Sequence, residues 1–225
     1  MTSEERRKRE IEQRREAVIN AANRLFYLKG YENVSMDEIA SEAELSKTTL
    51  YTYFKDKESL FFVIVNRGIK ILIDMIEKET QRQQSPGINA QVIKTAVVQF
   101  LIEYPNYAQA YLYFRSGKFN ISNCNCMNQD AKEILDISKE LLDQVILKLG
   151  YGIGNGTSKP DMNHVVTNVF YILVFEGILN GILNMDPIIR EILGFYEIST
   201  QQFQTEALHL VQRLVIMHEG STGLY

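Results

Sequence analysis

Cysteine is nearly absent from this chain: its 225 residues contain two, Cys124 and Cys126. A disulfide framework is thereby excluded. No hydrophobic secretory segment precedes the charged stretch from Glu4 to Glu16, so a reducing cytoplasm is the expected compartment. An excess of one charge is missing as well. The formal net charge is -4, and residues 1 to 60 hold eleven Lys and Arg against twelve Asp and Glu. A protein coated in nucleic acid is excluded on that balance, and any contact with a polyanion has to come from the local placement of cations. Long apolar runs are lacking too. Val165 to Leu183 is interrupted by Asn168, Glu176 and Asn180, whereas a spanning helix needs about 20 mostly apolar residues. It reads as a buried helix, and no membrane partner is expected.

Catalytic signatures are equally sparse. The glycines of GYGIGNG, Gly150 to Gly156, follow no strand and miss the dinucleotide spacing, because Thr157 stands where a third glycine belongs. A loop between helices accounts for them. Cys124 and Cys126 form a C-x-C without a nearby histidine or second cysteine pair, and His164, His209 and His218 share no ligand spacing. No catalytic residue, metal or cofactor is assigned. An enzyme remains an alternative that a turnover screen would expose, and an all-helical adaptor that ignores DNA is another.

What the chain does contain is helical patterning, with 45% apolar residues to build a core. No alternating strand pattern or internal repeat is visible. Ala17, Val18, Ala21, Ala22, Leu25 and Phe26 follow helical spacing from Glu16 to Leu28, and Gly30 supplies a stop. Ser35 with Glu38 forms a capping box, so a helix begins near Met36 with Ile39, Ala40 and Ala43 on its apolar face. That helix ends near Glu44. Ser46 then offers a new N-cap, and Leu50 pairs with Phe54 four residues on. Two short helices so close must cross steeply, as in a helix-turn-helix whose second helix enters the major groove.

The exposed side chains suit that task. Lys47, Thr48 and Thr52 can reach base edges, and Thr49 offers a hydroxyl or a methyl. Tyr51 and Tyr53 bring phenols of phosphate-reaching length. Lys55 and Lys57 flank Asp56, the expected cap of the next helix, where a first-turn lysine can join free amides on a phosphate. Ser35 and Ser46 complete the DNA-contacting set. The N-terminal cluster Arg6, Arg7, Lys8, Arg9, Arg14 and Arg15 reads equally as an arm or first-helix extension that touches phosphate or a minor groove and as a solvated, frayed helix end.

The run Ile39-Ala40, Ala43, Leu45-Ser46-Lys47, Thr49-Leu50-Tyr51, Tyr53-Phe54, Lys57-Glu58 and Leu60 resembles the signature of the TetR family of one-component repressors. Ala17, Ala21-Ala22, Leu25-Phe26 and Gly30-Tyr31 extend the likeness to about a quarter of the chain. Glu44 stands where that family usually has the turn glycine, and Thr48 where glycine is frequent. The resemblance implies an all-α protein of about nine helices. It implies a three-helix DNA-binding domain over residues 1-60, its helix-turn-helix at about 36-55, and a larger helical effector-binding and dimerisation domain over 61-225.

In the larger half the helix after Asp56 runs through Leu72 and Ile76 to Ser85-Pro86-Gly87, roughly 40 Å. Further helices are expected near 88-103, 105-116, 128-149, 161-185 and 199-218, with Pro105 in a first turn, Asp186-Pro187 as a break and Ser199 with Gln202 as a capping box. Phe100, Tyr104, Tyr107, Tyr111, Phe114, Tyr171 and Phe175, with the lone acid Glu176, are expected to line an effector pocket; ordinary core packing accounts for any one of them as well. Gly177 and Gly181 permit close helix approach, either to neighbouring helices of the same subunit or, with the stripe of Leu208, Val211 and Val215, across the four-helix homodimer interface that the resemblance implies. Together these features predict a homodimeric, sequence-specific transcriptional regulator: a repressor released from a palindromic double-stranded DNA operator by a small hydrophobic or aromatic effector.

Overall fold

The computed structural model describes residues 2–84, 90–119 and 187–217, together with 132–134, 136–137, 139, 177–178, 180–183 and 185. Eight helices are delimited among these residues, and no strand: α1 Ser3–Lys29, α2 Met36–Glu42, α3 Lys47–Tyr53, α4 Lys57–Arg82, α5 Ala90–Glu103, α6 Pro105–Arg115, α7 Pro187–Phe195 and α8 Thr200–Met217. The all-α class matches expectation. No helix among the described residues is long and apolar enough to cross a membrane.

Helix ends follow local chemistry. The capping box of α2 is complete: Ser35 accepts from the Glu38 amide, and the Glu38 carboxylate accepts from the Ser35 amide. Asp56 accepts from the Ser59 amide and hydroxyl, both at 2.7 Å, ahead of α4. Ser199 and Gln202 form the reciprocal pair that starts α8. Gly30 ends α1 at φ 78°, a left-handed region where a side chain would be strained.

α1 begins at Ser3, capped by Thr2 with Glu5, so residues 3 to 15 extend the helix whose apolar spacing starts near Glu16. Its first turns are polar all round and carry no apolar period; i, i+4 ion pairs Lys8 to Glu4 and Arg14 to Glu10 support them instead. α7 was not expected, since Asp186-Pro187 reads as a break. Proline also suits the first helical position, where no amide partner is needed, and that is where Pro187 stands.

The described chain forms two compact units. Met1–Ile69 joins Asn106–Asp136 in the first, and Lys70–Pro105 joins Ile137–Tyr225 in the second. The first unit thus takes in α6 in addition to the residues assigned from sequence to the DNA-binding domain. Its core centres on Ile19, Phe26, Ile39, Leu50, Phe61 and Ile64, all buried. Arg67 grips Glu16 through two hydrogen bonds of 2.7 and 2.9 Å, fastening α4 to α1. Gly68 lets α6 close on α4: an added Cβ would stand 3.1 Å from that of Tyr107. In the second unit α8 packs on α5, and Val92, Ala96, Phe100 and Leu101 are buried.

Candidate nucleic-acid interface

The turn between α2 and α3 sets their crossing. The Leu45 amide donates to the Ala40 carbonyl at 2.9 Å and the Glu44 amide to the Ser41 carbonyl at 3.1 Å. This paired closure of a helix end requires a left-handed residue, and Glu44 supplies it at φ 55°. The glutamate at the expected glycine position therefore adopts the glycine conformation, at a cost of roughly 1 kcal/mol.

From that turn α3 projects with one face inward. Leu50 is fully buried, Phe54 just after the helix is buried as well, and Arg15 lies over the Phe54 ring at 5.3 Å. Lys47, Thr48, Tyr51 and Thr52 are exposed, while Thr49 and Tyr53 are half-buried. Ser46 caps the helix by accepting from the Thr49 amide at 3.1 Å, and its hydroxyl lies 2.8 Å from that of Thr49. Thr52 donates its hydroxyl to the Thr49 carbonyl. α3 thus offers solvent a short row of hydroxyls, one phenol and one amine.

The cations are less uniform. Lys55 is exposed in the turn before α4. Lys47 pairs with Asp37 of α2 at 2.7 Å, and the hydrogen bond to that carboxylate pushes the Lys47 ammonium up from its ordinary pKa. Lys57, placed by sequence among the phosphate candidates, instead donates to the backbone carbonyls of Tyr31 and Val34, both at 2.9 Å, with its ammonium 4.3 Å from the Tyr31 ring centroid. Sequence reasoning had no signal for this, because the acceptors are carbonyls of a loop more than twenty residues away.

Glu38 does two jobs. It closes the capping box and also accepts from Lys29 at 2.9 Å. The Lys29 hydrogen bond, aided by Ser35, holds its carboxyl down to about 2. Arg24 and Glu42 add a second α1 to α2 tie at 3.1 Å. Beside them Tyr31, Phe61, Tyr113 and Phe119 form a ring cluster with centroids 4.7 to 5.8 Å apart. Burial and the nearby carboxylate of Glu58 push the Tyr31 phenol up to about 12.

The remaining candidates are spread across both units. Phe100 is buried in the second unit and stacks on Tyr104 at 6.0 Å. Phe114 is buried in the first, edge-on to Phe62 at 5.8 Å; there Tyr111 accepts from Arg115 at 2.9 Å and Tyr107 packs on Gly68. Tyr171, Phe175, Glu176, Cys124 and Cys126 lie outside the described residues. Gly177 and Gly181 are exposed, with nothing within 4 Å of an added Cβ. Leu208, Val211 and Val215 fall on α8, their side chains outside the described part. Among the described residues no group of three or more His, Cys, Asp or Glu could hold a metal ion.

Of the comparisons with known proteins, the family model falls on α1 to α4. Residues 18–64 match the family model for bacterial regulatory proteins of the tetR family. An HTH-type transcriptional regulator of Staphylococcus aureus (strain MRSA252) is 30% identical over 97 residues, 43% of this chain and 52% of that one. Its counterpart in strain USA300 is 30% identical over 96 residues, with the same shares. The chain spans about half the length of the curated relatives it matches. Among solved structures, AibR in complex with isovaleryl coenzyme A and operator DNA is similar at a TM-score of 0.56 and 18% identity, over 88% of this chain and 97% of that chain. The ketosteroid transcriptional regulator KstR2 of Mycobacterium tuberculosis is similar at a TM-score of 0.57 and 16% identity, over 88% and 92%. At such identities the likeness is one of fold. Each of these proteins is described as a regulator or as a complex with operator DNA.

Proposed function

We propose that this chain, which belongs to the tetR family of bacterial regulatory proteins, acts as a homodimeric, sequence-specific DNA-binding regulator, a repressor that a small hydrophobic or aromatic ligand releases from a palindromic operator. The observation that carries the reading is α3, whose Leu50 is fully buried while Lys47, Thr48, Tyr51 and Thr52 are exposed. A short helix locked on one face and lined with donors on the other suits the major groove. Lys47, Thr48 and Thr52 meet base edges. Tyr51, Tyr53 and Lys55 meet phosphates, with the Thr49 hydroxyl and the helix starts at Ser35 and Ser46 beside them.

A single such helix reads one half-site, so a dyad-related second copy is needed for a palindrome with half-sites about 34 Å or more apart. The open surfaces at Gly177 and Gly181 support self-association there, with Leu208, Val211 and Val215 of α8. The effector binds the helical part beyond residue 60 and favours a conformer with the two DNA-binding heads, α1 to α3 of each copy, misplaced. A coupling of about 1–3 kcal/mol changes operator affinity some 5- to 150-fold. α4, which starts in one unit and ends in the other, is the transmitter. That isovaleryl coenzyme A and operator DNA share one structure of similar fold supports this arrangement.

Selection of bound duplexes from a random DNA pool tests the reading. A palindromic winner is expected, and Tyr51→Phe and Thr48→Ala should each weaken its binding severalfold in a gel-shift titration without unfolding the chain. A chain that enriches no sequence at physiological salt defeats the proposal.

A further inference from the structure

Lys57 opens α4, yet its ammonium lies against the loop from Gly30 to Ser35. It donates to the carbonyls of Tyr31 and Val34 at 2.9 Å each, and the carbonyl of Glu32 stands at 3.5 Å. An ammonium has three donors, and here each has a carbonyl. The Tyr31 ring covers it at 4.3 Å. α6 holds the same loop from another side, through the Tyr113 phenol on the Glu32 carboxylate and the Tyr113 ring 5.4 Å from that of Tyr31. The loop leads into Val34, buried, and then into Ser35, the N-cap of α2. α2 in turn carries α3 through the closure at Glu44 and the Lys47 to Asp37 pair. To reach a phosphate, Lys57 would have to abandon part-buried carbonyls and leave them unpaired.

We propose that Lys57 is a positioning residue for DNA recognition: it fixes the loop that sets the attitude of α2 and α3, and it does not ligate a phosphate. The proposal rests on the DNA-binding reading above. It separates two roles that simple loss of affinity would not distinguish. A phosphate ligand contributes about -0.9 to the slope of log affinity against log salt. A positioning residue lowers the fraction of chains whose head is competent, which reduces affinity and leaves that slope alone.

The experiment uses the full chain and a duplex that the parent selects from a random pool. Affinity is measured across a salt series for the parent, Lys57→Met, Tyr113→Phe and, for comparison, the exposed Lys55→Ala. Amide hydrogen exchange at residues 31 to 35 is followed in the DNA-free chains. Lys57→Met is expected to bind roughly tenfold more weakly at the parental slope and to exchange faster at those amides, whereas Lys55→Ala makes the slope shallower by about 0.9. Lys57→Met with a slope shallower by about 0.9 and parental exchange overturns the proposal. Should Lys57→Met fail to fold, Tyr113→Phe decides: weaker binding at the parental slope is expected, and parental affinity with parental exchange overturns it. If the parent selects no duplex, the DNA-binding reading fails on its own, and the exchange comparison still decides whether Lys57 holds the loop.

Discussion

Tyr113, near the end of α6, donates its phenolic proton to the carboxylate of Glu32, 81 positions earlier in the loop between α1 and α2. That hydrogen bond is the foremost cause holding the Glu32 carboxyl below its ordinary value of 4.5, with Lys118 and Lys57 adding to it. Burial, and then the same hydrogen bond, pushes the Tyr113 phenol upward. The pairing makes a loop of the head dependent on a helix that sequence alone assigns elsewhere.

A pH dependence follows from the sign of the Glu32 shift. A carboxyl with a depressed folded value contributes stability that is present above its unfolded value near 4.5 and is lost as pH falls through the folded value. Glu38 acts in the same sense, down to about 2. Stability of the parent should therefore decline as pH drops from about 4.5 toward 2. Tyr113→Phe removes the largest cause at Glu32, and Glu38→Gln removes the second titrating group while an amide can still close the capping box. Both variants should show a shallower acid limb when urea midpoints are compared at several pH values. An acid limb identical to the parent's would dissociate these two carboxylates from stability.

Phe61 sits among the rings that join α1, α4 and α6 within the first unit. Phe61 is 1% exposed and touches the rings of Phe26, Tyr31, Tyr113 and Phe119. Truncating a buried phenylalanine removes its transfer free energy and leaves a cavity, together about 3–5 kcal/mol. Phe61→Ala is expected to lose that much in equilibrium urea unfolding of the first unit's helices. A change under about 1 kcal/mol would mean the cluster collapses freely around the gap.

Much of the head was legible in sequence because its determinants are local. Ser35 with Glu38, Ser46 with Thr49 and Asp56 with Ser59 each act within three residues, and Gly30 marks its own stop. The register of Leu50 against Lys47, Thr48, Tyr51 and Thr52 follows from helical spacing, so the exposed face of α3 could be assigned in advance. Lys57 could not be placed, since its partners are set by how a loop folds back over α4. Nor does spacing connect Tyr113 with Glu32. Pro187 shows a different limit: a proline can break a segment or open a helix, and its neighbours did not settle which.

Glu44 offers a direct check on the turn. Its φ of 55° costs a residue with a Cβ roughly 1 kcal/mol that glycine does not bear. Glu44→Gly should raise stability by up to about that amount, reduced by the extra freedom glycine has in the unfolded chain. The measurement is the urea midpoint at neutral pH with unchanged slope. A destabilised variant would show that the turn is not left-handed in solution.

The N-terminal turns of α1 bear on the DNA contact proposed above. Lys8, Arg14 and Arg15 are each paired with a glutamate of the same helix, while Arg6, Arg7 and Arg9 are exposed and form no ion pair among the described residues. If this end of the helix reaches phosphate, those three arginines are the ones to do it, because paired cations are already neutralised. Deleting residues 1 to 12 should then make the salt slope of duplex affinity shallower by about 0.9 for each phosphate that these arginines neutralise. It should leave the melting of the core unchanged, since the first buried residue of α1 is Val18. A deletion that keeps the parental slope would identify these turns as a solvated extension, and the electrostatic part of binding would then rest on the exposed Lys55 with the amides at the starts of α2 and α3.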